Sequence, residues 1–157
     1  MLLSIMIGLL AITGGQSTRA QDAGPRYVMA IHGGAGTILR ENLSDELEQA
    51  YRAKLEEALQ AGYAILNEGG TSLDAVVATI QVMEESPLFN AGKGAVFTSE
   101  GTVEHDASIM EGRTRRAGAV SGLKHIASPI ALARLVMEQS PHVMMTGAGA
   151  EAFAREQ

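Results

Sequence analysis

The stretch "GAVFTSEGTVEHDASIMEGRTRRAGAVSGL", Gly94 to Leu123, contains three strand-like runs with no helix-forming segment between them. "GAVFT", "TVEHDASIM" and "RAGAVSGL" are divided by glycine-containing turns, and strands joined so tightly pair as antiparallel neighbours. A doubly wound sheet would need a helix between successive parallel strands. The stretch therefore predicts an α+β layered domain.

Upstream the period changes to that of helices. Ser44 is placed as an N-cap with Asp45 and Glu46 in the first turn, and Leu47, Tyr51, Leu55, Ala58, Leu59, Gly62, Ile65 and Leu66 recur at spacings of three and four. Gly69 and Gly70 end that helix. Thr71 with Asp74 makes a second cap, and Ala75, Val76, Thr79, Ile80 and Met83 continue a helical face until Pro87. Further upstream, Tyr27 to Ile31 reads as a buried strand running into the glycine-rich "HGGAGT", His32 to Thr37. Downstream, Ser128 and Pro129 open a helix, "HVMMTG" reads as a short strand, and "AEAFARE" begins a last helix.

The N-terminus has a different character. "MLLSIMIGLLAI" is apolar apart from Ser4 and Gly8 and shorter than a bilayer span, and Thr18 and Ala20 suit cleavage after Ala20. Residues 1–20 are expected to be a signal peptide, leaving a domain over 21–157 and a periplasmic or secreted location. The n-region has no Lys or Arg, which keeps an uncleaved anchor open as the alternative. With the signal removed no membrane association is expected.

Twelve basic against 18 acidic side chains give a net charge of -6. That balance does not suit a surface built to neutralise nucleic-acid phosphates. Arg113, Arg115 and Arg116 cluster in a glycine-flanked turn and read as a solvated face. The absence of cysteine excludes disulfides and thiolate metal sites, and His32, His105, His125 and His142 lack the i, i+4 spacing of a helical zinc site.

Candidate chemistry is sparse. "HGGAGT" suits either a tight turn or a cradle of backbone N–H groups for an anion or oxyanion. It lacks the Lys-Ser/Thr ending of a nucleotide-binding P-loop, and no G-x-S-x-G nucleophile elbow accompanies it, since "GAVSG" puts Ser121 out of register. His105 and Asp106 are neighbours on a strand, where side chains alternate between faces. Glu84 and Glu85 read as a solvated helix end rather than a paired acid and base.

"AIHGGAGTI", "MEESPLFNAGKGAVFT", "VEHDASIMEG" and "RRAGAVSGLKHIASPIALARLVMEQSPHVMMTGAGAEAFA", in that order, closely resemble the N-terminal half of the plant-type L-asparaginase/isoaspartyl peptidase family. Its members are Ntn hydrolases, precursors that cut themselves into α and β subunits. The resemblance runs from about Val28 to the last residue and implies part of an αββα four-layer sandwich. It also implies that the loop after the second helix wraps a structural Na+ with the backbone carbonyls of Met83, Glu84, Ser86, Phe89, Ala91 and Lys93. Asn90 matches the asparagine that orients the nucleophile's surroundings, and Gly33 and Gly34 match the loop beside the nucleophile. Ser86 stands where the family can have cysteine, and Lys93 where an apolar residue is common.

The family's nucleophile is the N-terminal threonine of the β subunit, and no catalytic cofactor is implied. That threonine, the oxyanion donors and the substrate-gripping arginine and aspartate have no counterpart in this sequence, which is expected to be an α-subunit portion truncated before the β subunit. The implied partners are its own β subunit, a second αβ unit in a homodimer, and a small-molecule substrate, an isoaspartyl dipeptide or asparagine. Alone the chain is expected to be inactive and to leave sheet edges and apolar faces uncovered. Two alternatives stay open: a non-catalytic cation-binding remnant or binding module, and a glycosylasparaginase-type amidase.

Overall fold

The computed structural model describes residues 27–34, 41 and 43–157. The signal-peptide segment and the Ala35–Thr37 part of the glycine-rich turn lie outside the described residues.

Two helices come first, α1 (Asp45–Asn67) and α2 (Ser72–Glu84). Both start at the expected caps. Ser44 Oγ accepts from Leu47 N–H at 3.2 Å. Thr71 Oγ1 accepts from Asp74 N–H at 3.1 Å and donates back to Asp74 Oδ2 at 2.6 Å, so each residue satisfies the other. α1 stops because Gly69 takes φ +83, letting Gly69 N–H reach Leu66 O and Gly70 N–H reach Ile65 O at 3.1 and 2.8 Å. The helices pack closely at Gly62, where a Cβ would lie 2.2 Å from Thr79 Oγ1 and 2.5 Å from Met29 Cε.

The sheet has three strands in the order β1 (His105–Met110), β2 (Ala117–Leu123) and β3 (Met144–Thr146). β1 and β2 are antiparallel, with His105 opposite Leu123, Met110 opposite Ala117, and a bulge between His105 and Ala107. Helix α3 (Pro129–Gln139) then crosses back, so β3 joins β2 in parallel, Ala119 beside Met144. The sheet is therefore mixed. Helix α4 (Gly147–Glu156) follows directly.

The core lies between sheet and α3. Ile109, Val120 and Leu123 point in from the strands to meet Ile130, Ala133 and Val136 from α3, all at most 6 % exposed. Gly118 allows the closest approach, since a Cβ there would meet Ala133 O at 2.1 Å and Met137 N at 2.7 Å. α4 adds Ala150 to this core. The mixed α and β content with a small sheet agrees with the α+β expectation.

Two expected strands take another form. Tyr27 to Ile31 is not in a ladder with any described residue, although it keeps the alternation of a strand, with Tyr27, Met29 and Ile31 half-buried and Val28 and Ala30 exposed. "GAVFT" makes a single bridge, Phe97 to Val103, closed by a Thr98–Thr102 turn. Val96 and Phe97 are left 65 % and 75 % exposed. A strand needs a partner edge as well as suitable residues. Among the described residues no helix is long and apolar enough to cross a membrane.

Candidate functional site

The loop from Met83 to Ala95 is organised by its own backbone. Ser86 N–H donates to Met83 O, Ala91 N–H to Phe89 O, and Gly94 N–H to Ala91 O, at 3.1, 2.8 and 3.1 Å. Residues Gly92–Gly94 form one 3-10 turn. Ser86, 3 % exposed, accepts Leu88 N–H on its hydroxyl at 3.2 Å.

The glycines permit the tight wrap. Gly92 has φ +51, and a Cβ there would lie 2.1 Å from Glu84 O. At Gly94 a Cβ would lie 2.2 Å from Phe89 O and 2.7 Å from Pro87 O. Carbonyl oxygens of Glu84, Pro87 and Phe89 are thus turned toward neighbouring main chain that carries no side chain. A carbonyl that accepts one N–H keeps a second lone pair, so the hydrogen bonds to Met83, Phe89 and Ala91 leave those oxygens with acceptor capacity.

Phe89 seats the loop. Its buried ring meets Tyr51 of α1 edge-on, centroids 5.7 Å apart. A Cβ at Gly33 would be in contact with that ring and with Leu55, at 3.4 Å. The structure therefore brings Gly33 and the loop together, although 56 residues of sequence and a helical hairpin intervene between Gly33 and Asn90. Gly34 has φ +110, and its N–H donates to His32 Nδ1 at 3.1 Å.

Asn90 Oδ1 accepts Val96 N–H at 2.9 Å, which fixes the side chain and leaves its NH2 as the group available to a ligand. It lines a cavity of about 320 Å³ with Glu104, His105 and Asp106. Asp106 Oδ1 accepts Gly122 N–H across the bulge at 2.9 Å. Lys93 is exposed beside a neighbouring cleft of about 520 Å³ that also holds Glu84, Glu85, His105 and Ser128.

Glu84 corrects the sequence reading. Glu85 is exposed, but Glu84 is only 4 % exposed, and its carboxylate accepts from Ser128 Oγ at 2.7 Å and from Ile130 N–H at 2.9 Å. Burial pushes its pKa up, while the Ser128 hydroxyl, the Ile130 N–H and the nearby His105 pull it back. Glu151 of α4 is the second buried carboxylate among the described residues and is not singled out from sequence. It accepts Lys124 N–H at 2.7 Å, His125 N–H at 3.0 Å and His125 Nδ1 at 3.0 Å. These bonds, the Lys124 N–H first, lower its pKa to about 2. Among the described residues no group of three or more His, Cys, Asp or Glu side chains is placed to hold a metal ion.

The family model described as asparaginase matches residues 25–157. An isoaspartyl peptidase of Salmonella typhimurium is 51% identical over 132 residues, which are 84% of this chain and 42% of the relative. The Escherichia coli isoaspartyl peptidase is 52% identical over 129 residues, 82% of this chain and 40% of the relative. A probable isoaspartyl peptidase/L-asparaginase 2 of Arabidopsis thaliana is 44% identical over 131 residues, 83% of this chain and 40% of the relative. The chain spans about two-fifths of the length of these relatives.

Proposed function

Because the chain belongs to the asparaginase family, we propose that it is the α-subunit portion of an isoaspartyl peptidase/L-asparaginase, a hydrolase of β-aspartyl dipeptides and of the asparagine side-chain amide. The observation that carries this reading is the seating of Phe89 against Gly33, which gathers Gly33 and the Asn90 loop against Tyr51 and Leu55 of α1. The names of the relatives favour it over a glycosylasparaginase.

In this reading the nucleophile is a threonine that opens the β subunit, outside this chain. Its hydroxyl attacks the side-chain carbonyl while its α-amine takes the proton, and the proton then passes to the departing amine or ammonia as the acyl-ester forms. Water cleaves the ester and regenerates the hydroxyl. This chain contributes position: Asn90, held through Oδ1 by Val96 N–H, presents its NH2 to the space beside the nucleophile, and Gly33 lets main chain approach there. The four-layer αββα sandwich, the partner β subunit and the homodimer belong to the same proposal. They supply cover for the apolar side chains of Val96, Phe97 and Met144.

The carbonyl loop fits a sodium ion by the chemistry of its donors. Met83, Glu84, Ser86, Phe89, Ala91 and Lys93 offer neutral oxygen ligands, and the glycines at 92 and 94 leave room where a Cβ would collide with carbonyl oxygens. Bound sodium supplies a fixed positive charge that holds these carbonyls in one arrangement. Lys93 is exposed, which keeps its ammonium in water. Residues 1–20 serve as an export signal, and the mature protein starts at Gln21.

Expression of the complete reading frame tests the proposal. Two fragments on a denaturing gel, the second beginning with threonine, together with release of aspartate from a β-aspartyl dipeptide, are expected. One uncleaved, inactive polypeptide overturns the enzyme reading in favour of a non-catalytic binding module. N-terminal sequencing of the exported first fragment checks the start at Gln21.

A further inference from the structure

Glu84 acts twice, once through its main chain and once through its side chain. It closes α2 and lies buried, a position that is costly for a carboxylate without partners. Its partners come from the start of α3, 44 and 46 residues further on. Ser128 stands at the N-cap of α3 but makes no side-chain cap to that helix. Its hydroxyl donates to Glu84 Oε2 and accepts from Gln81 Nε2 at 3.2 Å. Glu84 Oε1 takes the Ile130 N–H, one of the donors that a helix start leaves without an internal partner. The carbonyl of the same residue faces Gly92, at the closest approach within the loop.

The geometry points to Glu84 as a positioning residue that fixes the carbonyl loop, and Asn90 on it, against the first turn of α3. The place of Asn90 is then set by α3 and the sheet core beneath it, as well as by the loop's own turns. The consequence for catalysis rests on the reading proposed above; the mechanical coupling of loop to helix does not.

Three variants of the whole protein separate the possibilities. Glu84→Gln keeps the shape and removes the charge and one acceptor oxygen. Ser128→Ala removes one donor and is the milder variant should the first fail to fold. Arg134→Gln, the control, removes an α2–α3 ion pair to Asp74 and touches neither Glu84 nor the loop. Amide hydrogen exchange is expected to quicken in residues 88–96 and 130–132 together, roughly tenfold for Glu84→Gln and less for Ser128→Ala, with α1 unchanged. The control leaves the loop unchanged. Faster exchange confined to 130–132, or a loop response equal in all three variants, overturns the proposal.

A sodium titration of the melting temperature adds a readout independent of activity. Glu84→Gln is expected to raise the half-stabilising sodium concentration severalfold, whereas the control lowers the melting temperature without moving that midpoint. An unmoved midpoint in Glu84→Gln counts against the coupling. A wild-type protein indifferent to sodium overturns the cation reading instead, and the exchange pattern then decides the coupling alone.

Discussion

Gly118 and Gly92 both sit where one stretch of main chain presses on another, and a Cβ at either would lie 2.1 Å from a carbonyl oxygen. Their surroundings differ. Gly118 is buried under α3 among the side chains of the main core, and its φ is not in the left-handed region. Gly92 is half-buried beside an open cleft, has φ +51, and crowds a carbonyl of the loop from Met83 to Ala95. The same closeness therefore serves stability in the first region and the shape of a site in the second.

Breaking each crossing tests that division. Gly118→Ala is expected to cost about 3 kcal/mol, because neither Ala133 O nor Met137 N can yield without moving α3. Urea unfolding of the whole protein measures this, and a loss under ~1 kcal/mol would show that the helix slides freely over β2. Gly92→Ala is expected to cost less, about 2 kcal/mol, from its positive φ and the clash with Glu84 O. On the function proposed above it should also remove most self-cleavage and sodium response, so a variant that melts early yet cleaves normally would end the distinction.

A third test uses pH. Glu151 ties the end of β2 to α4, and its folded pKa lies well below the ordinary 4.5. Such a group adds stability that is fully present above about 4.5 and is lost as pH falls toward about 2. Glu151→Gln should flatten this part of the acid limb of the stability curve while leaving amide exchange in the loop unchanged. An unchanged acid limb would mean that the ties to Lys124 and His125 do not persist in solution.

The smallest effect is expected at the link between the two regions. Arg134 Nη1 meets Asp74 Oδ1 at 2.6 Å, joining the helical hairpin to α3, and both side chains are partly exposed. Arg134→Gln should cost about 0.5–1 kcal/mol at low salt and less at high salt. Thermal melts at two ionic strengths check this, and a salt-independent loss would point to packing of the arginine stem instead.

The two regions also differ in how far their residues declare them. Helix starts are local: Ser44, Thr71 and Pro129 place α1, α2 and α3 as their chemistry demands. β1 and β2 follow because one short turn joins them. The parallel pairing of β3 depends on where α3 delivers the chain, which no short window contains. α4 starts at Gly147, before the "AEAFARE" run, across two glycines that discourage a helical reading. In the loop, Asn90 and the glycines are recognisable as a motif, whereas the burial of Glu84 depends on Ser128 and Ile130, brought in from a distant helix start. A glutamate beside a second glutamate, three residues before a proline, carries no local sign of that partner.

The parallel seam between β2 and β3 also orders events in time. β1 and β2 are joined by a short turn, so their hairpin closes with a small loop-entropy cost. β3 reaches β2 only after the whole of α3 has been made and laid across the sheet. Contacts of such long sequence separation form late. Ile109→Ala, on β1 and away from the seam, should slow refolding, whereas Met145→Ala, on the seam, should mainly hasten unfolding. Stopped-flow kinetics of the whole protein distinguish the two, and equal slowing of refolding by both would place the seam in the nucleus. A newly made chain therefore carries an unsealed strand edge for as long as α3 takes to dock, and that interval is when it is most open to pairing with another molecule.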